Sequence, residues 1–208
     1  MASISSPIPT IPDDAYREAI QVIQIQDTLL NLTKSSYSSA IDSIFDSIYL
    51  STEERVIEFT HHLLISVQYR VKNVAVYADL VQFLITKKAD FPALNNFETF
   101  ILDEISSEIT SERVGRSCMQ LITFLSKLYI RNVYTDDQII QFVRTNFHNK
   151  DARQISVFHL FSHFCYLIDR IDQSLYKSHI KLFESLAKAD PESPASIFLK
   201  ELNGWKEN

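Results

Sequence analysis

Glycine is nearly missing from this chain: two residues in 208, Gly115 and Gly204. Sandwiches and barrels spend glycine on tight turns, so those architectures are disfavoured. Phosphate-cradling loops need it too, and neither GxxxxGK nor GxGxxG occurs. Proline is almost as scarce. Pro7, Pro9 and Pro12 lie near one end, Pro191 and Pro194 near the other, and only Pro92 falls between. Most of the chain is thus free of the main helix breaker. Cys118 and Cys165 form no CxxC pair and read as buried, reduced thiols of an intracellular protein. There is no GxSxG nucleophile elbow. No apolar run approaches the roughly 18 to 20 residues that span a bilayer, so no membrane contact is expected. The first ten residues lack both the basic start and the apolar run of a secretory leader, which points to the cytoplasm, with the nucleus as the alternative.

Positive charge is also in deficit. The formal net charge is -6 and the pI about 5.5, so phosphate backbones are repelled on average and RNA binding is disfavoured. What the chain has is apolar residues, 46% of the total, enough for a substantial core.

Those residues recur at helical spacing almost without pause. The Ser/Pro-rich segment 1–12 reads as a disordered arm, and 13–208 as a single helical-repeat domain. Asp13 or Asp14 caps a first helix with Ile20, Ile23, Leu29 and Leu30 on its stripe. A second carries Ile41, Ile44, Phe45 and Ile48. Ser51-Thr52-Glu53-Glu54 is a capping box in which the Ser51 hydroxyl would accept from the Glu54 amide. It opens a third helix through Val56, Phe59, Leu63, Leu64 and Val67, and Asn73 caps a fourth with Val74, Tyr77, Leu80, Val81 and Leu84. Only Tyr69-Arg70-Val71-Lys72-Asn73 separates these two, so they form an antiparallel hairpin. Further starts fall at Asn95 or Asn96, Ser111, Thr135 (a second capping box, closed by Gln138), Asp151, Asp172 and Ser193-Pro194. About ten helices in about five hairpins, recurring at roughly 40 residues, predict an all-α chain stacked as a HEAT/armadillo-like α-solenoid. A compact irregular bundle is the competing arrangement.

Chemistry is hard to find. His159 and His163 are four apart on one helix, a metal-sharing spacing, but no HExxH glutamate lies between them and Phe158, Phe161 and Phe164 surround them. His61 and His62 face different sides and read as packing residues. The paired carboxylates Glu53-Glu54, Asp103-Glu104 and Asp136-Asp137 lie near helix starts or on polar faces, where the dipole and solvation account for them. No catalytic residue, metal, cofactor or small-molecule ligand is expected. The candidate partner-binding residues are Arg70 and Lys72 in the hairpin clip, then Lys87 and Lys88 beyond the other end of the same helix.

The order of features resembles the middle domain of translation initiation factor 4G, a helical scaffold of five HEAT-like hairpins. The likeness is carried by Leu29-Leu30-Asn31-Leu32-Thr33, by Thr52-Glu53-Glu54 and by Tyr77-Ala78 with Leu80. It continues through Phe124-Leu125-Ser126-Lys127-Leu128-Tyr129, Thr135 to Phe142, Ile168-Asp169 and a terminal helix closing on Trp205. It covers about residues 25 to 205. The Glu-Pro that usually precedes the family's Tyr-Ala helix is replaced by Arg70-Val71-Lys72, and the arginines of its late Ser-Ser-Arg-Ile-Arg segment are absent from Ser193 to Ile197. The Arg-x-Lys-Asn clip is also similar to helical regions preceding ankyrin repeats in protist proteins. The first resemblance implies a non-enzymatic adaptor in translation or RNA metabolism that binds a DEAD-box RNA helicase. The alternative is a purely structural or oligomerising helical module.

Overall fold

A computed structural model describes residues 13–110, 116–147 and scattered positions from 180 to 200. Seven helices are α1 (Asp13–Leu30), α2 (Tyr37–Phe45), α3 (Glu53–Tyr69), α4 (Val74–Ile85), α5 (Phe97–Thr110), α6 (Arg116–Ile130) and α7 (Asp136–Phe147). Short 3-10 turns occupy Ile48–Leu50, Val71–Asn73 and Pro92–Asn96. Among the described residues there is no strand, and the chain is all-α as composition requires. The helix starts expected at Ser111, Asp151, Asp172 and Ser193 lie outside the described residues.

The closest packings are α4 on α6, α3 on α5 and α3 on α6, with α1 on α3, α1 on α2, α5 on α7 and α2 on α4 beside them, while the successive helices α3 and α4 meet only slightly. Cross-links fix direction. Asn96 donates to Glu53, His61 meets Glu104, and Gln68 donates to Glu108, so partners rise together along α3 and α5, 40 to 43 residues apart. Such a ladder requires parallel helices. The α1–α3 pair repeats it through Arg55 to Glu18 and Gln26 to His62. One continuous core runs from Ile25 to Phe183, with Phe59, Leu63, Tyr77, Phe97 and Phe124 fully enclosed. α4 buries residues all around its axis, from Val74 and Val76 to Tyr77, Leu80, Val81 and Leu84, as a helix with neighbours on several sides must.

Four local expectations are corrected. On α1 the buried positions are Ile25 and Leu29, whereas Ile20 and Ile23 face solvent on the opposite side. The helix is apolar on two faces, and the face towards α2 and α3 wins because that side meets neighbours. α2 stops at Phe45, and Ile48 opens a 3-10 turn that buries Tyr49 and Leu50. Ser51 closes that turn by donating to the Ile48 carbonyl, so the cap of α3 falls to Thr52, whose Oγ1 accepts from the Arg55 amide at 3.4 Å. Asn73 stands at the N-cap position of α4 as expected, but its side chain makes no cap hydrogen bond there and goes elsewhere. The second capping box is as expected: the Thr135 amide donates to Gln138 Oε1 at 2.9 Å and the Gln138 amide to Thr135 Oγ1 at 3.4 Å.

Candidate functional site

α4 joins two connections of opposite electrostatic character. Before it, the Val71–Asn73 turn holds Arg70, Val71 and Lys72 in solvent, with Tyr69 exposed beside them. Nothing in this turn needs glycine, because φ stays negative throughout it. Among the described residues neither Arg70 nor Lys72 lies within ion-pair distance of a carboxylate. The Arg70 charge does reach the Tyr77 phenol: burial pushes that hydroxyl up to about 12, and the guanidinium pulls in the other direction.

Two donors, one partly buried and one buried, anchor this turn to the end of α1. Asn73 Nδ2 donates to the Leu32 carbonyl at 2.8 Å, and the Tyr77 hydroxyl donates to the Leu29 carbonyl at 2.7 Å. The Leu32 carbonyl lies just past the end of α1, where the helix ladder supplies no donor, and the Leu29 carbonyl takes the phenol in addition to the Leu32 amide. The same anchors bring Lys34, two residues beyond Leu32, to the clip's side of the molecule. Lys34 is exposed and makes no ion pair among the described residues. Sequence reading missed Lys34, because the signal is a contact 41 residues long and not a local pattern.

Beyond the other end of α4, cations are spent internally. Lys87 is 3.8 Å from Asp90 and lies over the Phe83 ring at 5.7 Å. Lys88 Nζ donates to the Glu98 carboxylate and, at 3.1 Å, to the Asn95 carbonyl. Arg131 sends Nε to Asp79 at 2.7 Å and its two terminal nitrogens to the Lys127 and Ala75 carbonyls. The four candidate cations therefore divide. Arg70 and Lys72 stand together and unengaged, while Lys87 and Lys88 lie about 18 Å away along α4 and act as structural ties.

A second polar cluster lies between α1 and α3. His62 is partly buried, within 3.1 Å of the Gln26 amide nitrogen and 3.8 Å from Glu58, with its ring edge-on to Tyr49. Burial lowers the His62 pKa, against the opposing pull of Glu58, and keeps the imidazole neutral. Burial, then the Glu58 charge, pushes the Tyr49 hydroxyl up to about 12. A neutral imidazole and a phenol that stays protonated serve α1–α3 packing; no nucleophile accompanies them. Open hollows of about 310 Å³ beside Arg17, Gln21 and Arg55, and about 420 Å³ between α5 and α7, bring together no convergent catalytic groups. Among the described residues no cluster of three metal-ligating side chains occurs, and no helix is long and apolar enough to cross a membrane. His159, His163 and Cys165 lie outside the described residues. The chain matches no family model, no curated protein and no solved structure.

Proposed function

We propose that this chain is a non-enzymatic protein-binding scaffold, a HEAT/armadillo-like stack of helical hairpins, working in the cytoplasm. One observation supports the reading: α1 on α3 and α3 on α5 pack parallel and in step, with α5 against α7, α2 against α4 and α4 against α6 also adjacent. A stack of that kind lines its turns up along two edges and presents an extended surface, the geometry of a binding platform. The motif order at Leu29 to Thr33, Thr52 to Glu54 and Tyr77-Ala78 supports the likeness to the middle domain of translation initiation factor 4G. On that likeness the partner is a DEAD-box RNA helicase, and the process is translation or RNA metabolism. Arg70 and Lys72 are the contact residues; Lys87 and Lys88 recede to a structural role. The test is capture of a purified DEAD-box helicase by the full chain, with its ATPase rate followed. Saturable binding with a changed rate supports the reading, and no binding at tens of micromolar removes the helicase partner.

A second reading, an oligomerising module, is favoured by α1. Tyr16, Ile20 and Ile23 are exposed at four- and three-residue spacing on the face opposite its core contacts. Sedimentation equilibrium separates the two: a concentration-dependent dimer lost on Ile23→Glu, without helicase binding, selects the module.

A further inference from the structure

We infer that the turn edge around Arg70 is a docking strip for an acidic segment that carries apolar side chains. The inference rests on the scaffold reading and names the chemistry of the partner. Its first ground is charge segregation. Lys34, Arg70 and Lys72 are gathered on one side by the Asn73–Leu32 and Tyr77–Leu29 bonds, and all three are exposed. Among the described residues none of the three lies within ion-pair distance of a carboxylate. Beyond the far end of α4 the order is reversed, and Lys87 and Lys88 each hold an acid. Helix dipoles account for cations near the ends of α1 and α3. They do not account for what lies between the cations.

The second ground is apolar. Tyr69 is 75% exposed and Val71 49% exposed, alternating with Arg70 and Lys72. A turn kept only for solvation gains nothing from a bare tyrosine and a bare valine. Two exposed cations and two exposed apolar side chains within four consecutive residues match a ligand segment that carries both acidic and apolar side chains. A nucleic acid fits less well, because a single exposed ring gives no stacking run and the net charge of -6 opposes a phosphate backbone.

The experiment uses the full chain and a fluorescein-labelled peptide of about ten residues, alternating glutamate with leucine and phenylalanine and spanning roughly 33 Å when extended. Saturable anisotropy weakened by added salt is expected. Reversing both cations (Arg70→Glu with Lys72→Glu) should weaken binding about tenfold or more, as loss of two charge contacts implies. Tyr69→Ser with Val71→Ser should weaken it without altering the salt dependence. Circular dichroism melts establish that each variant is folded. Absence of saturable binding, equal binding by the charge-reversed variant, or preference for a uridine oligonucleotide of equal length would each overturn the proposal. If the peptide fails while the helicase is still captured, the strip alone is wrong. If the peptide binds and the helicase does not, the strip stands and the helicase partner falls.

Discussion

The side-chain amide of Asn73 donates to the Leu32 carbonyl across 41 residues of sequence. It joins the α3–α4 turn to the end of α1, where a local reading would have it cap α4. Replacing Asn73 with alanine leaves that partly buried carbonyl without its partner and should cost about 1 to 2 kcal/mol. Asn73→Asp should be at least as damaging, since a carboxylate cannot donate. Urea denaturation at pH 7 measures both; a change under about 0.3 kcal/mol would show that water replaces the amide.

Three buried tyrosines make the fold sensitive to alkali. Burial, the largest cause, pushes Tyr49 and Tyr77 up to about 12 and Tyr134 well above its ordinary value. The native state thus favours the protonated phenol more than the unfolded state does, whose tyrosines titrate near about 10. The stabilisation is complete below about pH 10 and is lost as pH rises towards about 12. The slope should reach about 1.4 kcal/mol per pH unit for each such tyrosine. Denaturation midpoints between pH 8 and 11.5 test this, and Tyr77→Phe should flatten the curve while lowering stability at pH 8.

Asn132 is the one non-glycine residue at positive φ (58°) among the described residues. It ends α6 in a Schellman motif: the Val133 amide donates to the Leu128 carbonyl at 3.1 Å, and the Asn132 amide to Tyr129 at 2.9 Å. Asn132→Ala should cost about 1 to 2 kcal/mol through left-handed strain, lowering Tm by about 2 to 8 °C. Asn132→Gly should be neutral or better. If both variants melt together, the strain argument fails.

What was legible in the sequence was whatever rests on periodicity and local caps. The buried faces of α3, α4, α5 and α6 follow from apolar residues at helical spacing, and the Thr135–Gln138 box forms as its residues dictate. Errors arose where one segment offers two local solutions and a distant contact chooses. α1 has apolar residues on two faces, and only packing on α2 and α3 decides that Ile25 is buried and Ile23 is not. Asn73 could cap α4, yet the orphan carbonyl of Leu32 claims it. The candidate cations were found by type but not sorted, because pairing Lys88 with Glu98 and leaving Arg70 unpaired are outcomes of packing. Lys34 stayed invisible for the same reason.

That sorting gives the last expectation. Lys88 donates to the Glu98 carboxylate and to the Asn95 carbonyl, binding the end of α4 to the start of α5 through the Pro92–Asn96 turn. Both side chains are more than two-thirds buried, so the pair is screened less than an exposed one. Lys88→Ala should therefore destabilise by about 1 kcal/mol or somewhat more, with Glu98→Gln close behind. A double-mutant cycle should return a coupling on the order of 0.5 to 1 kcal/mol. Arg70→Ala and Lys72→Ala touch no such partner, and each should stay within about 0.5 kcal/mol of the parent. Thermal melts of the four single variants decide it: a loss at Arg70 as large as that at Lys88 would mean both ends of α4 are structural, and the division between a bound edge and a free one would not hold.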